Sequence, residues 1–317
     1  MLIRPLAGYA LDAYGRKAIF FIGLLIFAGA VFAYMWVPTL LILLLVRFIH
    51  GFGWGLASTA SSTVAADIIP KPRMGEGMGY YGLAGTLSMA LAPALGLFII
   101  SRYDFNLLFS LSTLMVIIAI LLAFTIKYHA VTTPGQKFNL IEKDALRPSI
   151  VIFFVNMTYG AIVAFLALYS IEMGISNIGI FFTIYAVSLA ISRPIAGRLA
   201  DRSSFDIVVI PGIILIMLAM FLLYSASSLQ WFLLAAIVYG AGFGAVQPSL
   251  QALAIVATSP EKKGAANATF FTGFDLGIGL SSIMWGFVAQ AIGYSLVYLC
   301  AIIPAFLGLS FYYFYKK

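Results

Sequence analysis

The sequence predicts an all-α integral membrane protein built from two pseudo-symmetric helical bundles, and three observations carry that expectation. Of 317 residues, 63% are hydrophobic and 9% are charged, a balance outside that of ordinary soluble domains. Apolar stretches of the ~20 residues needed to cross a ~30 Å hydrocarbon core follow one another with only short polar turns between them. The pattern Arg-Pro-x-Ala-Gly-x-x-x-Asp runs from Arg4 to Asp12 and again from Arg193 to Asp201, 189 residues on. Gly51, Gly53, Gly55 and Gly75 recur at that offset as Gly240, Gly242, Gly244 and Gly264. A fixed long offset marks two copies of one unit, and paired halves of a membrane protein commonly build a substrate path between them.

The apolar runs predict helices over 17–37, 39–66, 75–100, 105–127, 149–172, 177–198, 207–226, 229–257, 265–290 and 294–315. A stub at 1–9 is too short to span. The first bundle is expected at 1–127 and the second at 149–317. Between them, 128–148 carries Thr132-Thr133-Pro134-Gly135 and the charged run Glu142-Lys143-Asp144, and reads as a linker. The second copy holds 44 residues ahead of Arg193, whereas only three precede Arg4. The first helix and part of the second are therefore expected to be missing from the first copy, with Met1 an internal start or a fragment boundary. No secretory signal peptide takes their place.

Charge placement sets the expected orientation. Arg4, Arg16, Lys17, Lys71, Arg73, Lys127, Lys137, Lys143, Arg147, Arg193, Arg198, Arg202, Lys262, Lys263, Lys316 and Lys317 fall on one side, against Arg102 on the other. Those loops and the C-terminus are expected to face the cytoplasm. The net charge of +7 is then topogenic, with attraction to anionic lipid as a by-product, and nothing else supports nucleic-acid binding. Cys300 is the single cysteine, which leaves no disulfide and no expectation of a cysteine metal site; no cofactor is expected. Short loops without targeting segments point to a plasma membrane of the bacterial inner type.

Gly8-Tyr-Ala-Leu-Asp12-Ala-Tyr-Gly15-Arg16-Lys17 resembles the loop between the second and third helices of the major facilitator superfamily, whose members have two six-helix halves. The second copy, Gly197 to Arg202, falls where that family carries a weaker one. Arg47-Phe-Ile-His50-Gly51 is similar to a helix-four motif of its twelve-helix drug:proton antiporter branch, with His50 where Gln is commoner. Ala92-Pro93-Ala94-Leu95-Gly96 is similar to the antiporter motif, with Ser88, Ala92 and Leu97 at positions where that motif has Gly. The resemblance covers the whole chain. It implies a latch made by Gly8, Asp12, Gly15, Arg16, Asp67, Gly197 and Asp201, and a part for Arg47 in proton coupling.

The residues support those roles chemically. Gly8 and Gly15 permit close approach and tight turns. Asp12 can face a helix N-terminus, and Arg16 can pair with a carboxylate at the next helix end, Asp67 being the expected partner. Arg47 lies ~12 Å into its helix, where a charge is costly and tends to be functional. His50 and Trp54 share its face, making His50 a candidate proton relay or substrate contact and Trp54 a candidate cavity residue. Asp275 is the one carboxylate placed deep in a membrane helix, with Thr272, Gly279 and Ser282 on its face. Burial disfavours a charged carboxylate, which suits a group that binds and releases a proton; a fixed ion pair is the alternative. Asn156 and Tyr159, and Gln247 and Gln251, are candidate cavity residues by the resemblance, though interhelical hydrogen bonding accounts for them nearly as well.

The function expected is secondary transport by alternating access, with proton-coupled efflux of drugs or small metabolites first and proton-coupled uptake of a small organic solute second. The partners are a small-molecule substrate, protons and the bilayer, with the chain monomeric. A non-transporting membrane sensor or an inactive fragment is the rival class. An intramembrane enzyme is disfavoured, because no His-Glu-x-x-His pair or paired catalytic carboxylates occur.

Overall fold

A computed structural model describes residues 2–128 and 139–315. The Thr132-Thr133-Pro134-Gly135 turn, Lys137, Lys316 and Lys317 lie outside the described residues. The helices are α1 (Ile3–Tyr14), α2 (Arg16–Ala33), α3 (Leu40–Ile68), α4 (Met74–Arg102), α5 (Phe105–Ala123), α6 (Leu146–Glu172), α7 (Gly179–Arg202), α8 (Phe205–Tyr224), α9 (Leu229–Val256), α10 (Lys263–Ile292) and α11 (Tyr294–Phe314). Ten of them, α2 to α11, are long and apolar enough to cross a membrane. Their ends fall within a few residues of the apolar runs.

The stub and the loop motif require correction. Residues 3–14 form one helix of 12 residues, so Gly8 and Asp12 are helical and the turn is confined to Gly15, whose φ is +95°. Pro5 lies in the first turn of α1, where a missing N–H breaks no bond, and nothing after it interrupts the helix. Arg4 and Arg193 likewise lie within α1 and α7, both buried, rather than in loops. In each copy the Arg-Pro pair precedes its motif aspartate by two helical turns.

The chain forms two compact units, one of Met1–Ile68, Leu91–Glu142 and Ser259–Thr269, the other of Ile69–Ala90, Lys143–Thr258 and Phe270–Lys317. In the first, α2 crosses α3 through glycines. A Cβ on Gly23 would meet the Ala57 nitrogen at 2.6 Å, and one on Gly53 would meet the Phe27 nitrogen at 2.6 Å. Leu11, Ile19, Phe20, Leu24, Ala57 and Ala60 fill the core beside that crossing.

In the second unit the same positions cross, shifted by the repeat. Gly212 packs on Val246, and a Cβ on Gly242 would meet the Gly212 oxygen at 2.6 Å and the Ile216 nitrogen at 3.1 Å. Gly55 packs on Ile3, and its counterpart Gly244 on Ser192, the counterpart of Ile3. The sequence repeat is thus a repeat of contacts. Lipid is as apolar as a leucine side chain, so association rests on close packing that only small residues allow. Gly53→Ala and Gly242→Ala are both expected to lower thermal stability in detergent by about 1–3 kcal/mol, whereas Gly29→Ala, with nothing within 4 Å, should be neutral or slightly stabilising. Equal stability of all three would refute the close packing at both crossings, and a loss at only one of them would refute their equivalence.

Candidate functional site

Asp12 caps α10. Its two oxygens accept from the backbone nitrogens of Gly264 at 2.9 Å and Ala265 at 2.8 Å. The first turn of a helix carries unpaired N–H groups and the positive end of its dipole, so a carboxylate there meets both. Gly8, one turn earlier, brings α1 close enough: a Cβ on it would meet the Gly264 oxygen at 2.9 Å. Arg16 crosses the Gly15 turn and donates to Asp12 at 2.7 Å and to Asp67 at 3.0 Å. Lys263 reaches Asp67 at 3.2 Å and the Ala66 oxygen at 2.8 Å. Asp12 and Arg16 are almost fully buried, and the four side chains balance two positive charges against two negative. Burial pushes the Asp12 carboxyl from 3.8 up to about 6, against the opposing pull of Arg16 and the two amides. Lys263 escaped the sequence reading because a lysine at a helix end looks topogenic.

Asp201 does the same to α4. Its oxygens accept from Gly75 N at 2.7 Å and Glu76 N at 2.8 Å, and Gly197 packs directly on the Gly75 backbone. Since Asp12 corresponds to Asp201 and Gly75 to Gly264, each copy's aspartate caps a helix of the other copy. The surrounding charges differ. Arg198 donates to Glu76 at 2.6 Å and to the Tyr80 hydroxyl at 2.8 Å, but is exposed. The positions matching Arg16, Asp67 and Lys263 are Phe205, Val256 and Met74.

Arg47 and His50 meet on Tyr34, at the end of α2. The Arg47 guanidinium lies 5.4 Å from the Tyr34 ring centre, and the Tyr34 hydroxyl is 2.9 Å from His50 Nδ1. Phe27 packs edge-on against His50 and also reaches Trp54. Arg47, Phe48, Gly51, Phe52, Leu2 and Ile3 border a cleft of about 240 Å³. Tyr34 was not legible as part of this cluster, since a tyrosine closing an apolar run reads as interfacial.

The remaining candidates lie on α6, α9 and α10. Asn156 is buried and donates to the Phe274 oxygen at 2.9 Å, next to the half-buried Asp275, while its Oδ1 has no partner. Tyr159 stacks on Phe243 at 5.4 Å and approaches Tyr185 at 6.2 Å. Gln247 donates to Gln251 at 3.2 Å along α9, and both are buried. None of these borders the apolar cleft of about 770 Å³ between α7 and α8, where Ser188 and Ser192 spend their hydroxyls on α9 carbonyls.

Comparison with known proteins agrees with this architecture. A family model described as Major Facilitator Superfamily matches residues 1–179 and 149–317. MJ1560, an MFS-type transporter of Methanocaldococcus jannaschii, is 25% identical over 306 residues, 92% of this chain and 79% of that one. The staphylopine export protein of Staphylococcus aureus is 22% identical over 322 residues, 94% and 80% of the two chains. The crystal structure of the human organic anion transporter MFSD10 superposes with a TM-score of 0.86 over 98% of this chain and 80% of that one; at 17% identity the likeness shows the fold alone.

Proposed function

Because the chain belongs to the Major Facilitator Superfamily, matched over residues 1–179 and 149–317, and is a multi-pass membrane protein of that type, we propose that it exports a small molecule, drug or metabolite, by proton-coupled alternating access. The reciprocal caps are the observation that carries the reading. A helix N-terminus held by a carboxylate of the other copy is a discrete contact that can be made or broken as a unit, which alternating access requires. Gly8, Asp12, Gly15, Arg16 and Asp67 form one latch, with Gly197 and Asp201 in the other. The copies, 1–127 and 149–317, rock about a midplane site, with 128–148 as the cytoplasmic linker.

Asp275 serves as the proton carrier. It lies on α10, the helix that Asp12 caps, about eleven residues or ~16 Å beyond the cap. A proton taken up there and a cap released at the same helix's end act on one rigid element. Arg47 and His50 are the proton-coupling candidates of the first unit, with Trp54 beside them as a solute contact, and Asn156, Tyr159, Gln247 and Gln251 are the solute contacts of the second unit. The excess of Lys and Arg in one set of loops supports a cytoplasmic C-terminus in a bacterial-type plasma membrane, and the unit of transport is the monomer.

The test is flux of one anionic and one cationic fluorescent dye into everted vesicles energised by a proton gradient. Asp275→Asn is expected to lower gradient-driven flux by at least about tenfold at unchanged membrane abundance. Undiminished flux in that variant would remove Asp275 from the mechanism. Flux only in the opposite direction would replace export with uptake.

A further inference from the structure

The two Arg-Pro arginines occupy equivalent positions but meet different surroundings. Arg4 donates to Ser58 Oγ at 3.2 Å and Thr59 Oγ1 at 3.1 Å. At the repeat offset, Arg193 should find the same acceptors at Gln247 and Pro248. Proline has no side-chain acceptor, and the Gln247 amide is turned to Gln251. Arg193 is nonetheless 8% exposed, its Nε has no hydrogen-bond partner, and no carboxylate pairs with it among the described residues. Its titratable neighbour is the Tyr185 phenol, itself 5% exposed.

Room has been made for this side chain. A Cβ on Gly82 of α4 would overlap the Arg193 guanidinium, and Gly79, one turn earlier, packs on the Arg193 carbonyl. The residue matching Gly82 in the other copy is Phe271, so the space at this point is particular to the second copy. Arg193 lies nine residues, or ~13 Å, from the end of α7, within a helix long enough to cross the membrane.

A guanidinium carries five donors in a planar fork suited to an oxyanion. Burying it without an acceptor is unfavourable, and the charge persists because arginine does not deprotonate in proteins. A structural arginine at this position is satisfied as Arg4 is. We propose that Arg193 anchors the negative group of the transported solute, which makes the substrate class a small organic anion, with Tyr185 beside the anchor and Gly82 making the room that the guanidinium occupies. Calling that anion a substrate rests on the transport reading above; the binding site itself does not.

The experiment uses the purified chain in nanodiscs with benzoate, phenylphosphonate and benzenesulfonate, against neutral benzamide and cationic benzylamine. At least one of the anions is expected to raise the unfolding midpoint, and neither control should. Arg193→Met should abolish the shift, Arg193→Lys should retain part of it, and Gly82→Ala, which displaces the guanidinium without removing it, should weaken binding at least about tenfold. Without ligand, Arg193→Met is expected to match or exceed the wild type in stability, while Arg4→Met falls below it. The assignment is overturned if no anion shifts the wild type, if the shift survives Arg193→Met, or if Arg193→Met loses as much ligand-free stability as Arg4→Met. Counterflow in proteoliposomes of whichever of the three anions raises the midpoint, supplied in labelled form, separates the two readings. Arg193-dependent binding without counterflow would keep the anion site and overturn its role as a substrate anchor. Flux of another solute by a chain that binds no anion would do the reverse.

Discussion

Asp12→Ala is expected to be the most damaging single substitution of a charged residue in this chain, lowering the unfolding midpoint by several degrees and reducing transport to background. The carboxylate is fully buried and holds two backbone donors at 2.8–2.9 Å together with Arg16 at 2.7 Å. Removing it orphans the first amides of α10 and leaves a buried guanidinium with Asp67 as its remaining carboxylate. Breaking a buried pair from one side costs about 3–5 kcal/mol. Asp12→Asn should cost less, because one oxygen stays to accept. Asp201→Ala should also cost less: Asp201 is only partly buried, and the nearby Arg198 is exposed and pairs with Glu76 rather than with Asp201, so no buried guanidinium is left behind.

The same carboxyl gives the variant a pH signature. It ionises near 3.8 when unfolded and near 6 when folded, so ionisation between those values costs the folded chain stability. That contribution is full below 3.8 and lost as pH rises through 6. Asp12→Asn should flatten the pH dependence of the unfolding midpoint between about pH 4 and 7. Equal midpoints for Asp12→Ala and Asp201→Ala, with an unchanged pH profile, would deny the first cap its larger role.

Much of this architecture is visible in the sequence because bilayer physics writes it there. A spanning helix must satisfy its own backbone and stay apolar for about twenty residues, so all ten spans could be read from composition. The glycines at the repeat offset identified crossings that recur in both copies, because close packing in lipid leaves few residue types to choose from. What composition could not supply was partnership across long separations. That Asp12 needs a helix N-terminus follows from its charge; that the helix begins at Lys263, 251 residues later, is a matter of tertiary structure. Arg193 was hidden for another reason. Its motif resembles a loop motif, which places the arginine among loop charges, whereas α7 runs unbroken to Arg202 and carries Arg193 into its membrane-spanning part.

Gly75→Val should disable the second cap and its crossing together. A Cβ on Gly75 would meet the Gly197 oxygen at 2.8 Å and Asp201 Oδ1 at 2.9 Å, so one added group strikes both the backbone that α4 packs on and the carboxylate that caps it. Neither can yield cheaply. The oxygen belongs to α7 backbone, and the carboxylate is fixed by donors at 2.7 and 2.8 Å. No second-site shortening can relieve the clash, because the facing residue is already glycine. Overpacking costs about 1–3 kcal/mol, and weakening the charge-assisted bonds to Asp201 adds to that cost. Even Gly75→Ala should lower the unfolding midpoint and cut transport severalfold. Gly85→Ala, on the same helix with nothing within 4 Å, should be neutral or slightly stabilising, since alanine favours a helix by about 0.5–1 kcal/mol over glycine. Transport and unfolding measured on that pair isolate contact from propensity, and matched behaviour of the two variants would mean that the α4–α7 crossing bears no weight in the working cycle.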